Sequence, residues 1–151
     1  MTEQRSWLRM SLERRDYHWW FTAVGITAFV IAAAMATFGL PSIDLHSPLH
    51  KIGIMDPLCG GTRAARYAAQ GKVAEAWRYN PLSILIVYGA GLAILRAAVG
   101  LFGRRWVTFT VNWTLRRRRW AITILIVLVA LLEIRQQLRA DLLMTDTHTW
   151  V

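Results

Sequence analysis

Residues 19–40 read WWFTAVGITAFVIAAAMATFGL, twenty-two residues without a charge and opened by two tryptophans. At about 1.5 Å per helical residue such a stretch extends for roughly 33 Å, enough to cross a hydrocarbon core about 30 Å thick. Trp19 and Trp20 stand where an aromatic belt anchors a helix at the interface. Ala34-Met35-Ala36 resembles a cleavage site, but the apolar stretch exceeds the roughly 7–15 residues of a signal peptide. The segment therefore reads as a retained anchor and first span.

Two more spans follow. The second opens at Asn80-Pro81, an N-cap residue followed by proline at the first helical position, and runs to about residue 102. Arg96 interrupts it near its end, where a long side chain can snorkel to the interface. The third starts at Trp120. Its purely apolar part, 121–132, is too short to cross alone, so the helix is expected to continue past Glu133, Arg135 and Gln136 to about residue 143. An all-α integral membrane protein with about three transmembrane helices results, one membrane domain over 1–151.

The chain is 55% apolar, above the roughly 45–50% usual for soluble domains, yet its formal charge is +9. Apolar blocks and arginine-rich flanks alternate, as in a membrane protein rather than a nucleic-acid binder. Residues 1–18 are mixed in charge and read as a cytoplasmic tail or a short surface helix. Residues 103–119 read as an interfacial segment carrying Arg104, Arg105 and the run Arg116, Arg117, Arg118, Arg119, which suits anionic lipid headgroups. Four arginines precede the first span and six lie in 103–119, against five basic residues in the longer 41–80 segment. That bias puts the N-terminus inside, with the 41–80 cap and the tail after residue 143 outside.

The cap carries the distinctive residues. It reads Ser47-Pro48-Leu49-His50, then Asp56-Pro57-Leu58-Cys59-Gly60-Gly61-Thr62-Arg63-Ala64, then Gly71 and Asn80-Pro81. This resembles the domain-of-unknown-function 2752 family of small bacterial membrane proteins. Its signature is C-P-x-H, then C-P-x-C-G-x-T-R-A, then a glycine and an N-P pair opening a membrane helix. The resemblance covers about residues 47–100 and implies a bacterial inner-membrane location, but no activity, since none is established for the family. Here Ser47 and Asp56 stand where the family has cysteines, and Leu58 stands where it has glycine.

The cap residues can also be read on their own. Gly60-Gly61 permits a tight turn with positive φ. Thr62 can cap a short helix that Gly71 ends in the left-handed conformation. A second short helix is expected over 72–79. Thiol–disulfide exchange needs two thiols, and the chain has one cysteine, Cys59. A metal could use His46, His50, Asp56 and Cys59, although Pro48 disfavours one helix through both histidines. A hydrolase could use Cys59 with His50 as base, but no third group stands at a recognisable spacing. Arg63, in a first helical turn where the dipole does not favour a cation, is expected to pair with Asp56, Glu75 or Glu133, or with a lipid phosphate.

Small residues repeat every four positions on two spans: Ala28, Ala32 and Ala36 on the first, Gly89, Ala93 and Ala97 on the second. Such faces let backbones approach closely. With no complete catalytic constellation, the chain reads as a non-enzymatic accessory or assembly subunit of a larger membrane complex, with a lipid transporter as one natural host. Its expected partners are membrane lipids and other membrane subunits, with no nucleic acid, no cofactor and no metal. The alternative is a lipid-binding protein, or a metal- or thiol-dependent enzyme using the 47–63 motif.

Overall fold

A computed structural model describes residues 8–39 and 52–145. In chain order the elements are β1 (Leu8–Glu13), α1 (Trp19–Phe38), α2 (Gly61–Ala69), α3 (Val73–Tyr79), α4 (Pro81–Gly103), β2 (Trp106–Val111), α5 (Leu115–Gln137) and α6 (Ala140–Thr145). Three of the helices, α1, α4 and α5, are long and apolar enough to cross a membrane. The fold is that of an all-α membrane protein, with one small sheet added.

α4 is the centre. α1 lies along it, and α2 and α3 pack over its first half. Small residues bring α1 and α4 together. A Cβ on Gly25 would stand 2.4 Å from the Ala93 Cβ, so the two helices touch nearly backbone to backbone. Ala32, Ala93 and Ala97 are buried, while Ala28 and Ala36 are half-buried. Gly89 departs from the expected ladder. It is half-buried, and a Cβ there would meet nothing within 4 Å among the described residues. Ala90, one position on, takes the buried place, because a helix turns 3.6 rather than 4 residues per revolution.

α5 differs. Every residue from 122 to 131 is exposed, and the helix meets the rest of the protein through its C-terminal end. It starts at Leu115, five residues earlier than the sequence suggests. Thr114 caps it, accepting from the Arg117 backbone N–H at 3.3 Å. Arg116, Arg117, Arg118 and Arg119 thus lie on the helix rather than in the loop before it, and all four are exposed. Arginine is a good helix former, so only the cap residue marks the start. The expected single helix to about residue 143 is divided at 138–139 into α5 and α6.

The N-terminal segment is neither surface helix nor unstructured tail at residues 8–13. It pairs with β2 as an antiparallel sheet, Leu8 opposite Val111 and Glu13 opposite Trp106. The pairing puts the segment before α1 and the segment between α4 and α5 at one end of the helices. The cap and α6 lie at the other.

The sheet is fastened to α4 by Arg96. Its guanidinium binds Asp16, with Nη2 at 2.7 Å from Oδ1, and donates through Nη1 to Thr22 Oγ1 at 2.7 Å and through Nε to the Val107 carbonyl at 2.8 Å. Its side chain is 9% exposed. The expected snorkelling is replaced by a partly buried ion pair, because the N-terminal segment folds back and supplies the carboxylate. Arg96 holds the Asp16 carboxyl below its ordinary range, with burial opposing. Trp106 lies on Gly100, where a Cβ would come 2.4 Å from the ring.

Candidate functional site

The motif forms a compact turn. Asp56 accepts from the Leu58 backbone N–H through Oδ1 at 2.8 Å, and its carbonyl accepts from the Cys59 N–H at 3.0 Å. Gly60 then adopts φ +72°, a conformation open to glycine at little cost. α2 begins directly after it, at Gly61. The cap position is thus Gly60, not Thr62. Gly71 takes the expected left-handed conformation, φ +75°, beyond the end of α2.

Two amides hold this turn, one at the start of α4 and one near the end of α5. Asn80 caps α4 as expected, its Oδ1 accepting from the Leu82 N–H at 2.9 Å. Its Nδ2 also donates to the Pro57 and Cys59 carbonyls at 2.9 and 3.1 Å. From α5, Gln136 donates through Nε2 to the carbonyls of Cys59 at 2.9 Å and Tyr79 at 3.1 Å. The Cys59 carbonyl is therefore shared by two helices, α4 and α5. Asn80 and Gln136 are almost wholly buried. Each would be costly to bury unless satisfied, and each is satisfied mostly by backbone carbonyls of the cap.

The neighbours of Gln136 extend the contact. Gln137 accepts from the Met55 N–H and donates to the Gly53 carbonyl, both at 3.0 Å. Arg139 donates to the Arg78 carbonyl at 2.8 Å, and Arg135 donates to the Trp77 carbonyl. Leu143 of α6 packs under Gly60, where a Cβ would stand 2.7 Å from Cδ2 of that leucine. Ser83 donates to the Gly61 carbonyl at 2.9 Å. The C-terminal end of α5 thus binds mostly cap backbone, with the Arg135 guanidinium also lying over the Trp77 ring, 6.0 Å from its centre.

Cys59 and Arg63 face into this assembly. The Cys59 thiol is buried and donates to the Met55 sulfur at 3.5 Å. Burial, with Asp56 nearby, pushes that thiol up. This is the reverse of what a nucleophilic or metal-binding thiolate requires. Arg63 is 6% exposed, and its guanidinium lies 5.6 Å from the centre of the Tyr79 ring. Tyr79 also stacks on Tyr67, with centroids 5.6 Å apart. Arg63 is thus packed inside the cap rather than turned out to a headgroup.

Of the metal candidates, His46 and His50 lie outside the described residues, while Asp56 and Cys59 serve the turn. Among the described residues no group of three or more His, Cys, Asp or Glu side chains stands together as metal ligands would. Pro57, Cys59, Gly60, Gly61, Arg63, Asn80 and Pro81 all meet in the cap and at the start of α4. Gln136, Met55 and Leu143 join them without having been singled out from sequence. The break in the apolar run at Glu133-Ile134-Arg135-Gln136-Gln137 was the available signal for Gln136.

No curated protein and no solved structure matches the chain. The stretch of sequence that holds the turn, α2, α3 and the first part of α4, residues 48–94, matches the family model described as a protein of unknown function (DUF2752), the family that the motif resembles.

Proposed function

We propose that the protein is a non-enzymatic accessory or assembly subunit of a larger membrane complex. A transporter, in particular one that moves lipid, is the host we favour. One observation carries the reading: α5 is exposed on every side from Ile122 to Leu131, whereas α1 and α4 are packed together. A helix held to its own protein by its outer end offers a whole apolar surface to a neighbouring helix. The cap sets its position, since Gln136 and Gln137 bind cap backbone through four hydrogen bonds of 2.9–3.1 Å. The motif then serves as a bracket for α5, and its one thiol needs no chemical role.

The same reading puts the β1–β2 end in the bacterial cytoplasm. Nine described arginines flank the spans there, against six basic residues at the cap end. The experiment is affinity purification of the tagged full chain from its native membrane in mild detergent. Stoichiometric co-purification of another membrane protein is expected. Recovery of this chain alone rejects the proposal.

A further inference from the structure

The small sheet has its apolar face outward. In an antiparallel pair, directly opposed residues project to the same side. The pairs Leu8–Val111, Met10–Phe109 and Leu12–Val107 therefore share one face, and all six residues are apolar. The pairs Arg9–Thr110, Ser11–Thr108 and Glu13–Trp106 share the other. That second, mostly polar face is the one turned toward the helices. Thr108 is buried, and Trp106 lies on Gly100 and under the Arg96 guanidinium, 5.5 Å from its ring centre. On the apolar face Met10 is 64% exposed, Leu12 59% and Phe109 44%. A sheet on a soluble protein would be arranged the other way round.

The position of the sheet names what covers that face. Arg96 and Gly100 hold it beside the last two turns of α4, and Arg96 lies seven residues, or about 10 Å, inside the helix end at Gly103. The sheet therefore sits at the end of an apolar helix long enough to cross a membrane. Near it at the end of α4, Val99, Leu101 and Phe102 are exposed and apolar as well. Arg9, Arg14, Arg15, Arg104 and Arg105 are exposed around it, with charge that complements phospholipid phosphates. Trp113 and Tyr17, also exposed, are residues that favour the interface.

We propose that β1–β2 is a membrane-seated ribbon. Its apolar face rests in the acyl-chain boundary of an anionic leaflet, and its polar face closes over the Asp16–Arg96 pair. The ribbon then has two tasks. It shields a charged pair from lipid, and it fixes the depth at which α4 ends.

The test uses the full chain reconstituted in vesicles of phosphatidylethanolamine and phosphatidylglycerol. Single Met10→Cys, Phe109→Cys and Thr110→Cys variants carry a spin label, with buried Cys59 kept and unlabelled wild type as its control. Accessibility to oxygen, which partitions into lipid, is compared with accessibility to a water-soluble nickel chelate. The ratio of oxygen to nickel accessibility should be several-fold higher at positions 10 and 109 than at 110. Nickel accessibility at 10 and 109 equal to that at 110 overturns the proposal by placing the face in water. Shielding of both positions from both reagents overturns it by placing the face against protein. Because positions 10 and 109 lie on different strands, failure of one variant to fold leaves the other to decide.

Discussion

The α1–α4 pair and α5 are both apolar and both long enough to span, yet they behave oppositely. α1 brings Gly25, Ala28 and Ala32 to a shared face, and α4 brings Ala90, Ala93 and Ala97. In lipid no hydrophobic force drives helices together, so close backbone approach decides association. Between Trp120 and Leu132, α5 has only Ala121, Thr123 and Ala130 as small residues, not spaced four apart, among Ile, Leu and Val. It has no narrow face to offer. What attaches it is polar and lies at its C-terminal end. Apolar composition therefore explains why these helices enter a membrane, while small residues and terminal amides explain which of them touch.

The largest expected effect attacks the Asp16–Arg96 pair that ties the sheet to the packed helices. Asp16→Ala leaves a nearly buried guanidinium without its carboxylate, and should cost on the order of 3 kcal/mol in unfolding measured by steric trapping in bicelles. The pH response has a definite sign. Since Arg96 lowers the Asp16 carboxyl in the folded chain, the pair stabilises fully above the ordinary carboxylate range, and its contribution is lost as pH falls through the lowered value. Wild type should lose stability on acidification below about pH 4, and Asp16→Asn should show less of that loss.

Next in size is Gly25→Ala, which places a methyl 2.4 Å from the Ala93 Cβ and should destabilise by about 1–3 kcal/mol. Gly89→Ala is its control. With open space around the new methyl, it should be neutral or stabilise by up to about 1 kcal/mol. Equal penalties at both positions would contradict the close approach of α1 and α4 at Gly25 and Ala93.

Gln136→Leu breaks the other side of the comparison. It removes the two N–H bonds that Gln136 donates to the Cys59 and Tyr79 carbonyls of the cap, and should cost about 1–3 kcal/mol. Spin-label distances between the cap and the end of α5 should broaden in this variant while distances between α1 and α4 stay fixed. The smallest effect belongs to Leu125→Ala. Its side chain is 61% exposed, so the isolated protein should change by less than about 0.5 kcal/mol.

Much of this was legible in the residues. Charge-free length defines the spans, Asn80-Pro81 marks the start of α4, and Gly71 marks a left-handed helix end. The sheet left a trace too, since Leu8, Met10, Leu12 and Val107, Phe109, Val111 alternate with period two. Its pairing spans about a hundred residues, however, and nothing local says that two six-residue strands will meet. Arg96 was visible as an intruder, but its partner Asp16 sits in a mixed-charge stretch where no single carboxylate stands out. Gln136 was hardest to foresee, because its partners are backbone carbonyls and carbonyls have no residue signature.

The account rests most heavily on α5 being bare within its own chain and covered by another. A photo-crosslinking amino acid placed at Leu125, with one at Ala32 as the internal comparison, tests this in native membranes. We expect position 125 to capture a second membrane protein and position 32 to react within the chain. Capture at 125 of lipid alone, or of α1 or α4 of the same chain, would contradict the account.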